Sequence, residues 1–124
     1  MDYASVFRQL TFDTAAIIFM KKDGTIRTML ATRNLNTVAL KYGFKGAELG
    51  GHDHRCNINN GNLAVIDLYL GEARSFNIDR LIDIYYYGQI ETAEQLDNVA
   101  EQFEEFKTLY ESTMPKEINM DMLD

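Results

Sequence analysis

Ile17-Ile18-Phe19-Met20-Lys21-Lys22-Asp23-Gly24-Thr25-Ile26-Arg27-Thr28-Met29-Leu30 is the stretch that decides the fold. Two β-branched and aromatic runs flank an Asp-Gly pair. That arrangement is a strong short-range hairpin signal, because Gly24 can take the positive φ that the turn demands. Strands are therefore expected near 14–21 and 25–32. Alternation places Ile26, Thr28 and Leu30 on one face of the second strand and Arg27, Met29 and Ala31 on the other.

Downstream of the hairpin, Asn34 can cap a short helix. Leu35, Val38, Ala39 and Tyr42 recur at helical spacing, and Gly43 is expected to stop it. Residues 43–62 are rich in Gly and Asn and read as a long inserted loop, a feature that is usually functional or mobile. Further strands are expected near 62–70, 73–78 and 82–88, the last with Ile82, Ile84 and Tyr86 on one face. Upstream, residues 1–12 fit a short helix or a lead-in strand equally well.

From Thr92 the period changes. Thr92 and Gln95 form a capping box. Leu96, Val99, Phe103, Phe106 and Tyr110 then step by 3 and 4 along one helical seam, with Pro115 ending the helix. The expected fold is mainly β with a C-terminal α-helix, an α+β chain. A small antiparallel β-body over 1–90 carries the inserted loop 43–62, and an acidic amphipathic helix and tail over 91–124 packs on it or on a second copy.

Composition narrows the function classes. The chain has 124 residues, 46% hydrophobic and 25% charged, with seven Tyr and seven Phe. That suits one globular domain with a real core and excludes wholesale disorder. A single Cys excludes a disulfide framework and a four-Cys zinc ribbon. No run reaches the length of a membrane helix, and the start lacks the pattern of a secretory signal, so a cytoplasmic location is expected. The net charge of −7 is unevenly spread. Residues 1–90 carry ten Lys/Arg and nine Asp/Glu, whereas 91–124 carry two Lys and ten Asp/Glu. Fields act locally, so an acidic total does not exclude an anion site on the near-neutral body.

Two motifs together resemble a known family. The first is Phe19-Met20-Lys21-Lys22-Asp23-Gly24-Thr25-Ile26-Arg27. The second is Leu63-Ala64-Val65-Ile66-Asp67-Leu68, a Gly71-Glu72 turn, then Arg74-Ser75-Phe76-Asn77-Ile78-Asp79-Arg80-Leu81-Ile82. This pattern resembles the WYL-like family of small Sm/SH3-like β-barrels, especially its short phage-encoded branch. Of the tripeptide that names the family only the Leu is kept, at Gly61-Asn62-Leu63. The resemblance implies an SH3-like or Sm-like antiparallel barrel that binds a nucleotide or single-stranded nucleic acid through an Arg-lined groove, with Arg27, Arg74 and Arg80 as ligand candidates. It further implies a phage accessory protein acting in the host cytoplasm.

The residues themselves leave alternatives open. Guanidinium forks match phosphate geometry, yet Arg27, Arg33, Arg55, Arg74 and Arg80 could instead pair with Asp23, Asp67, Asp79 and Asp83. Arg74 and Arg80 are six apart, so an uninterrupted strand would turn both to one face. Gly51, His52, His54 and Arg55 form a loop that could contact a ligand or close over it. With Asp53 and Cys56 the two histidines could also hold a metal, the basis of a metal-dependent hydrolase reading. Cys56 as a nucleophile would need one of them as its base. Tyr85-Tyr86-Tyr87 could stack on bases or pack beneath the C-terminal helix. The leading expectation is a non-enzymatic binding module without a cofactor, monomeric or homodimeric. Its partner is a nucleotide, a single strand or a host regulatory protein, the last engaged by the acidic helix as an inhibitor.

Overall fold

The hairpin forms where Asp23-Gly24 places it. In a computed structural model that describes residues 2–47 and 56–112, Gly24 sits at φ +90°. The Lys21 N–H donates to the Thr25 carbonyl at 2.8 Å. Asp23 Oδ1 accepts the Thr25 N–H at 3.0 Å and the Thr25 hydroxyl at 2.7 Å, an Asx turn that fixes the tip. The arms are β1 (Thr14–Met20) and β2 (Ile26–Thr32), with Phe19 opposite Arg27 and Ala16 opposite Leu30.

The N-terminal residues are helical. Helix α1 (Tyr3–Phe12) is capped by Asp2, whose side chain accepts from the Ser5 N–H at 3.1 Å. Helix α2 (Leu35–Ala47) starts on Asn34, whose Oδ1 accepts from the Asn36 N–H at 3.0 Å. Gly43 (φ +68°, ψ −157°) leaves helical geometry and ends the first segment of α2, as expected; a second short segment then runs on to Ala47, so the expected loop over 43–62 begins later. The end of that loop is a tight turn, with Asn57 N–H donating to Asn62 O at 2.8 Å. Then follow β3 (Asn62–Asp67), β4 (Glu72–Asn77), a 3-10 turn (Ile78–Arg80), β5 (Leu81–Gly88) and α3 (Ala93–Ser112). Strand β3 ends at Asp67 and not at 70, because Asp67 Oδ1 takes the N–H groups of Tyr69 and Leu70 and starts the turn there.

The strands pair antiparallel in the order β4-β3-β2-β1-β5. The 3-10 turn therefore joins one edge of the sheet to the other. A flat five-stranded sheet would hold its edges about 19 Å apart, whereas three residues of 3-10 helix rise only about 6 Å. The sheet must curl, and a barrel results.

The curl creates two apolar layers. Val6, Leu10, Ile17, Met29, Leu63, Val65 and Phe76 fill the inside beneath α1. Leu30, Val38, Ile66, Leu68, Ile90, Leu96 and Phe103 make a second layer under α2 and α3. Ala15 to Ile18 are buried on both faces, hence their unbroken apolar run. Each large side chain so buried contributes roughly 1.5–3 kcal/mol. Helix α3 begins in the capping box, with Gln95 N–H donating to Thr92 Oγ1 at 3.1 Å and Thr92 N–H to Gln95 Oε1 at 3.2 Å. Its seam lies on the second layer through Leu96 and Phe103, and Tyr69 anchors it by donating to Glu104 at 2.6 Å. The side chain of Tyr110 and the tail 116–124 lie outside the described residues.

One strand departs from simple alternation. Ile18 faces Asp83 but Phe19 faces Leu81, so Ile82 is bulged out. Leu81 packs on the inner layer and Ile82 is exposed, reversing the face expected for Ile82. Among the described residues no helix is long and apolar enough to cross a membrane.

Candidate functional site

A cavity of about 520 Å³ opens beside the hairpin tip, between β1, β2 and β4. The hairpin supplies Lys21, Lys22, Asp23 and Arg27, β4 supplies Arg74 and Ser75, and the 3-10 turn supplies Arg80. Phe19, Met20, Met29 and Phe76 form its apolar wall, with Asn62 and Asn77 at the border. Five cations thus meet one lining carboxylate. Phe19 and Phe76 lie 5.9 Å apart between ring centroids, so the wall is continuous with the inner layer.

Each cation is placed for a local reason. Arg27 stands opposite Phe19, one step from the tip. Arg74 stands opposite Val65 on the β3–β4 ladder. Its Nε lies 3.6 Å from Asp67 Oδ2 and its Nη2 lies 3.6 Å from Glu72 Oε1. Arg74 is therefore partly compensated, as the alternative of an Asp67 partner foresaw. Arg80 ends the 3-10 turn, which Asn77 opens by accepting the Asp79 N–H at 2.9 Å. Asn77 is held in turn by donating to Asn60 O at 2.7 Å. Gly61 allows this approach, since a Cβ there would come within 2.8 Å of Asn77 Oδ1. Among the described residues no carboxylate pairs with Arg27 or Arg80. The Asp23 carboxyl is held below its ordinary range chiefly by the Thr25 hydroxyl and N–H, with Lys21 adding a smaller pull.

The three arginines singled out in the sequence line one cavity, but not for the parity reason. The strand stops at Asn77, so the even spacing of Arg74 and Arg80 does not apply. The tertiary turn brings them together instead. Lys21, Lys22, Phe19 and Ser75 also line it, and the sequence reading does not point to them as ligand residues. The signal available for them was adjacency, because they flank the hairpin tip or Arg74.

A family model described as WYL_2, Sm-like SH3 beta-barrel fold, matches residues 5–82. The chain belongs to this family. No curated protein and no solved structure matches it. The WYL_2 span holds every residue that lines the cavity, while α3 lies beyond it.

Other candidates on the WYL_2 barrel fare differently. Gly51, His52, His54 and Arg55 lie outside the described residues. Cys56 is half-buried and is not among the residues that line the cavity. Its Sγ accepts the Ala64 N–H at 3.3 Å and Arg33 Nη1–H at 3.4 Å. Arg33 also donates to Ala64 O at 2.6 Å and lies 4.2 Å over the Phe7 ring. Both polar groups of the Ala64 backbone are thus met by side chains. The same corner holds Tyr3, whose hydroxyl donates to Asn62 O at 2.7 Å and is pushed up mainly by burial. Among the described residues no three His, Cys, Asp or Glu side chains are grouped to hold a metal. The tyrosine triplet is split: Tyr86 packs on the inner layer, Tyr87 on the α3 side, and Tyr85 is exposed against Tyr87 at 5.0 Å.

Proposed function

We propose that this WYL_2 domain is a non-enzymatic binding module whose cavity takes a phosphate-bearing ligand, a nucleotide or a single-stranded nucleic acid. The observation that carries the reading is the convergence of five cations on one cavity lined by a single carboxylate. Guanidinium groups offer planar forks that fit phosphate oxygens. The apolar wall at Phe19 and Met20 offers a surface for a base or sugar. Cys56 accepts the Ala64 N–H on its sulfur and does not line the cavity, which supports a structural role for it over a nucleophilic one. As the resemblance of the two motifs implies, the module would serve as a phage accessory protein in a host cytoplasm.

The test is calorimetry of the full chain with nucleotides and short single-stranded oligonucleotides, repeated with Arg27→Ala and Arg80→Ala. Binding that weakens in each variant and weakens as salt rises supports the site, since exposed charge contacts are screened over about 8–10 Å. If the wild-type chain binds none of these anions, the reading fails and a host regulatory protein becomes the partner to pursue.

A further inference from the structure

Resting on the anion-binding reading, we infer that the cavity recognises a terminal phosphate monoester, borne by a free nucleotide or by the 5′ end of a strand, and not the internal phosphodiesters of a threaded strand. Three observations lead there. The cations come from separate segments, Lys21 and Arg27 from the hairpin, Arg74 from β4 and Arg80 from the turn, and they line one space. An internal phosphodiester carries one charge and two free oxygens, whereas a terminal phosphate carries nearly two charges near neutral pH and three acceptor oxygens. Guanidinium groups arriving from several directions are used fully only by the terminal group. Arg74 is already shared with Asp67 and Glu72, so among the arginines it is Arg27 and Arg80 that supply uncompensated charge.

The second observation is size. At about 520 Å³ the cavity falls in the range of small-ligand pockets, roughly 300–1,000 Å³. That is room for one nucleotide-sized ligand. The third is the placing of aromatic rings. A threaded strand is gripped by successive stacking platforms along a cationic track. Phe19 and Phe76 are the aromatic rings that line the cavity, packed on one wall, and the exposed rings of Phe12 and Tyr85 do not line it. Among the described residues the cations thus adjoin one ring wall and no row of platforms.

The experiment compares pairs that differ only in the terminal phosphate. Fluorescence anisotropy is read for a short labelled oligo(dT) with a 5′-phosphate or a 5′-hydroxyl, and calorimetry for AMP against adenosine. The phosphorylated member of each pair should bind at least about tenfold more tightly. Its advantage should shrink as pH falls from about 7.5 to about 5.5, because the second phosphate ionisation lies near 6. Arg80→Ala and Arg27→Ala, checked as folded by circular dichroism, should erase most of the difference. If AMP binds and the oligonucleotides do not, the free nucleotide is the source. If both phosphorylated species bind, the strand end is also accepted. Equal binding of the 5′-hydroxyl and 5′-phosphate oligonucleotides overturns this inference and leaves the anion-binding reading standing. Failure of every anion to bind removes both.

Discussion

Arg33 and Arg80 each follow the end of a β-strand, one directly and one after a short turn, yet their surroundings are opposite. Arg33 leaves β2 and is spent on the protein itself: the Phe7 ring, the Ala64 carbonyl and the Cys56 sulfur. Arg80 is exposed at the cavity and, among the described residues, meets no carboxylate. The difference follows from what the neighbouring ladder lacks. Strand β2 pairs with β3 only at Ala31 with Asp67 and Thr32 with Ile66. Beyond Thr32 the backbone of Ala64 has no strand partner on that side, and side chains complete it. The β3–β4 ladder instead runs unbroken from Asn62 with Asn77 to Asp67 with Glu72. Nothing there demands an arginine for backbone pairing, so Arg74 and, past the turn, Arg80 are available to the cavity. Where a ladder stops short, arginine is structure. Where it is complete, arginine is surface chemistry.

The strongest way to break this comparison is Arg33→Ala. It removes a hydrogen bond to a buried carbonyl and a cation–π contact, so stability should fall by about 2–4 kcal/mol in urea unfolding. Arg33→Lys should recover only part, because an ammonium cannot lie over Phe7 and reach Ala64 O in the same geometry. An unchanged urea midpoint for Arg33→Ala would show that the corner is not a structural one.

Cys56→Ala tests the other half of that corner. It leaves the Ala64 N–H without its sulfur acceptor and should lower stability by about 1 kcal/mol, with anion binding by the folded protein unaltered. Loss of anion binding at constant stability would join this corner to the cavity after all.

A pH series sharpens the contrast between the α3 anchor and the cavity, which no tyrosine lines. The Tyr69 hydroxyl is raised above its ordinary value by burial first and by its bond to Glu104 second. Tyr86 and Tyr87 are also raised, mainly by burial. A folded pKa above the unfolded one gives stability that is complete below the unfolded value of about 10 and is lost as pH rises toward the folded value. Stability should therefore decline above pH about 10, and Tyr69→Phe should flatten that decline. A slope identical to wild type would place the alkaline loss elsewhere.

The smallest expected change in stability is at the cavity. Arg27→Ala and Arg80→Ala should each shift stability by no more than about 0.5 kcal/mol, the usual range for surface substitutions. Their effect should appear instead in the salt dependence of anion binding, each lowering the slope by about one. A large drop in melting temperature for either would make it a second Arg33.

Much of this was legible in the chain. Asp23-Gly24 and the flanking runs announce the hairpin, and Thr92 with Gln95 announces the start of α3, because both are local devices within a few residues. Residues 1–12 are ambiguous in sequence because a ten-residue helix with only Val6 and Leu10 buried has a weak periodic signal. Gly43 is legible as a stop, but the second helical segment beyond it, up to Ala47, is not, because its few residues carry no period of their own. Alternation puts Ile82 on the wrong face because a bulge is invisible to it. For the site, Arg27, Arg74 and Arg80 are legible in the two motifs, whereas Lys21 and Lys22 read as ordinary turn residues.

The sequence by itself determined the elements: which segments are strands, where the hairpin turns, which face of α3 is apolar, and where the negative charge lies. These follow from period, turn chemistry and capping, all of them local. Only the tertiary structure decided which arginines meet. A three-residue turn between opposite sheet edges forces the barrel to curl, and that curl sets the hairpin tip beside β4 and Arg80. The same geometry leaves Ala64 short of a strand partner and draws Arg33 and Cys56 in to replace it. Residue type cannot distinguish the two roles, because a guanidinium satisfies a stranded carbonyl as readily as a phosphate.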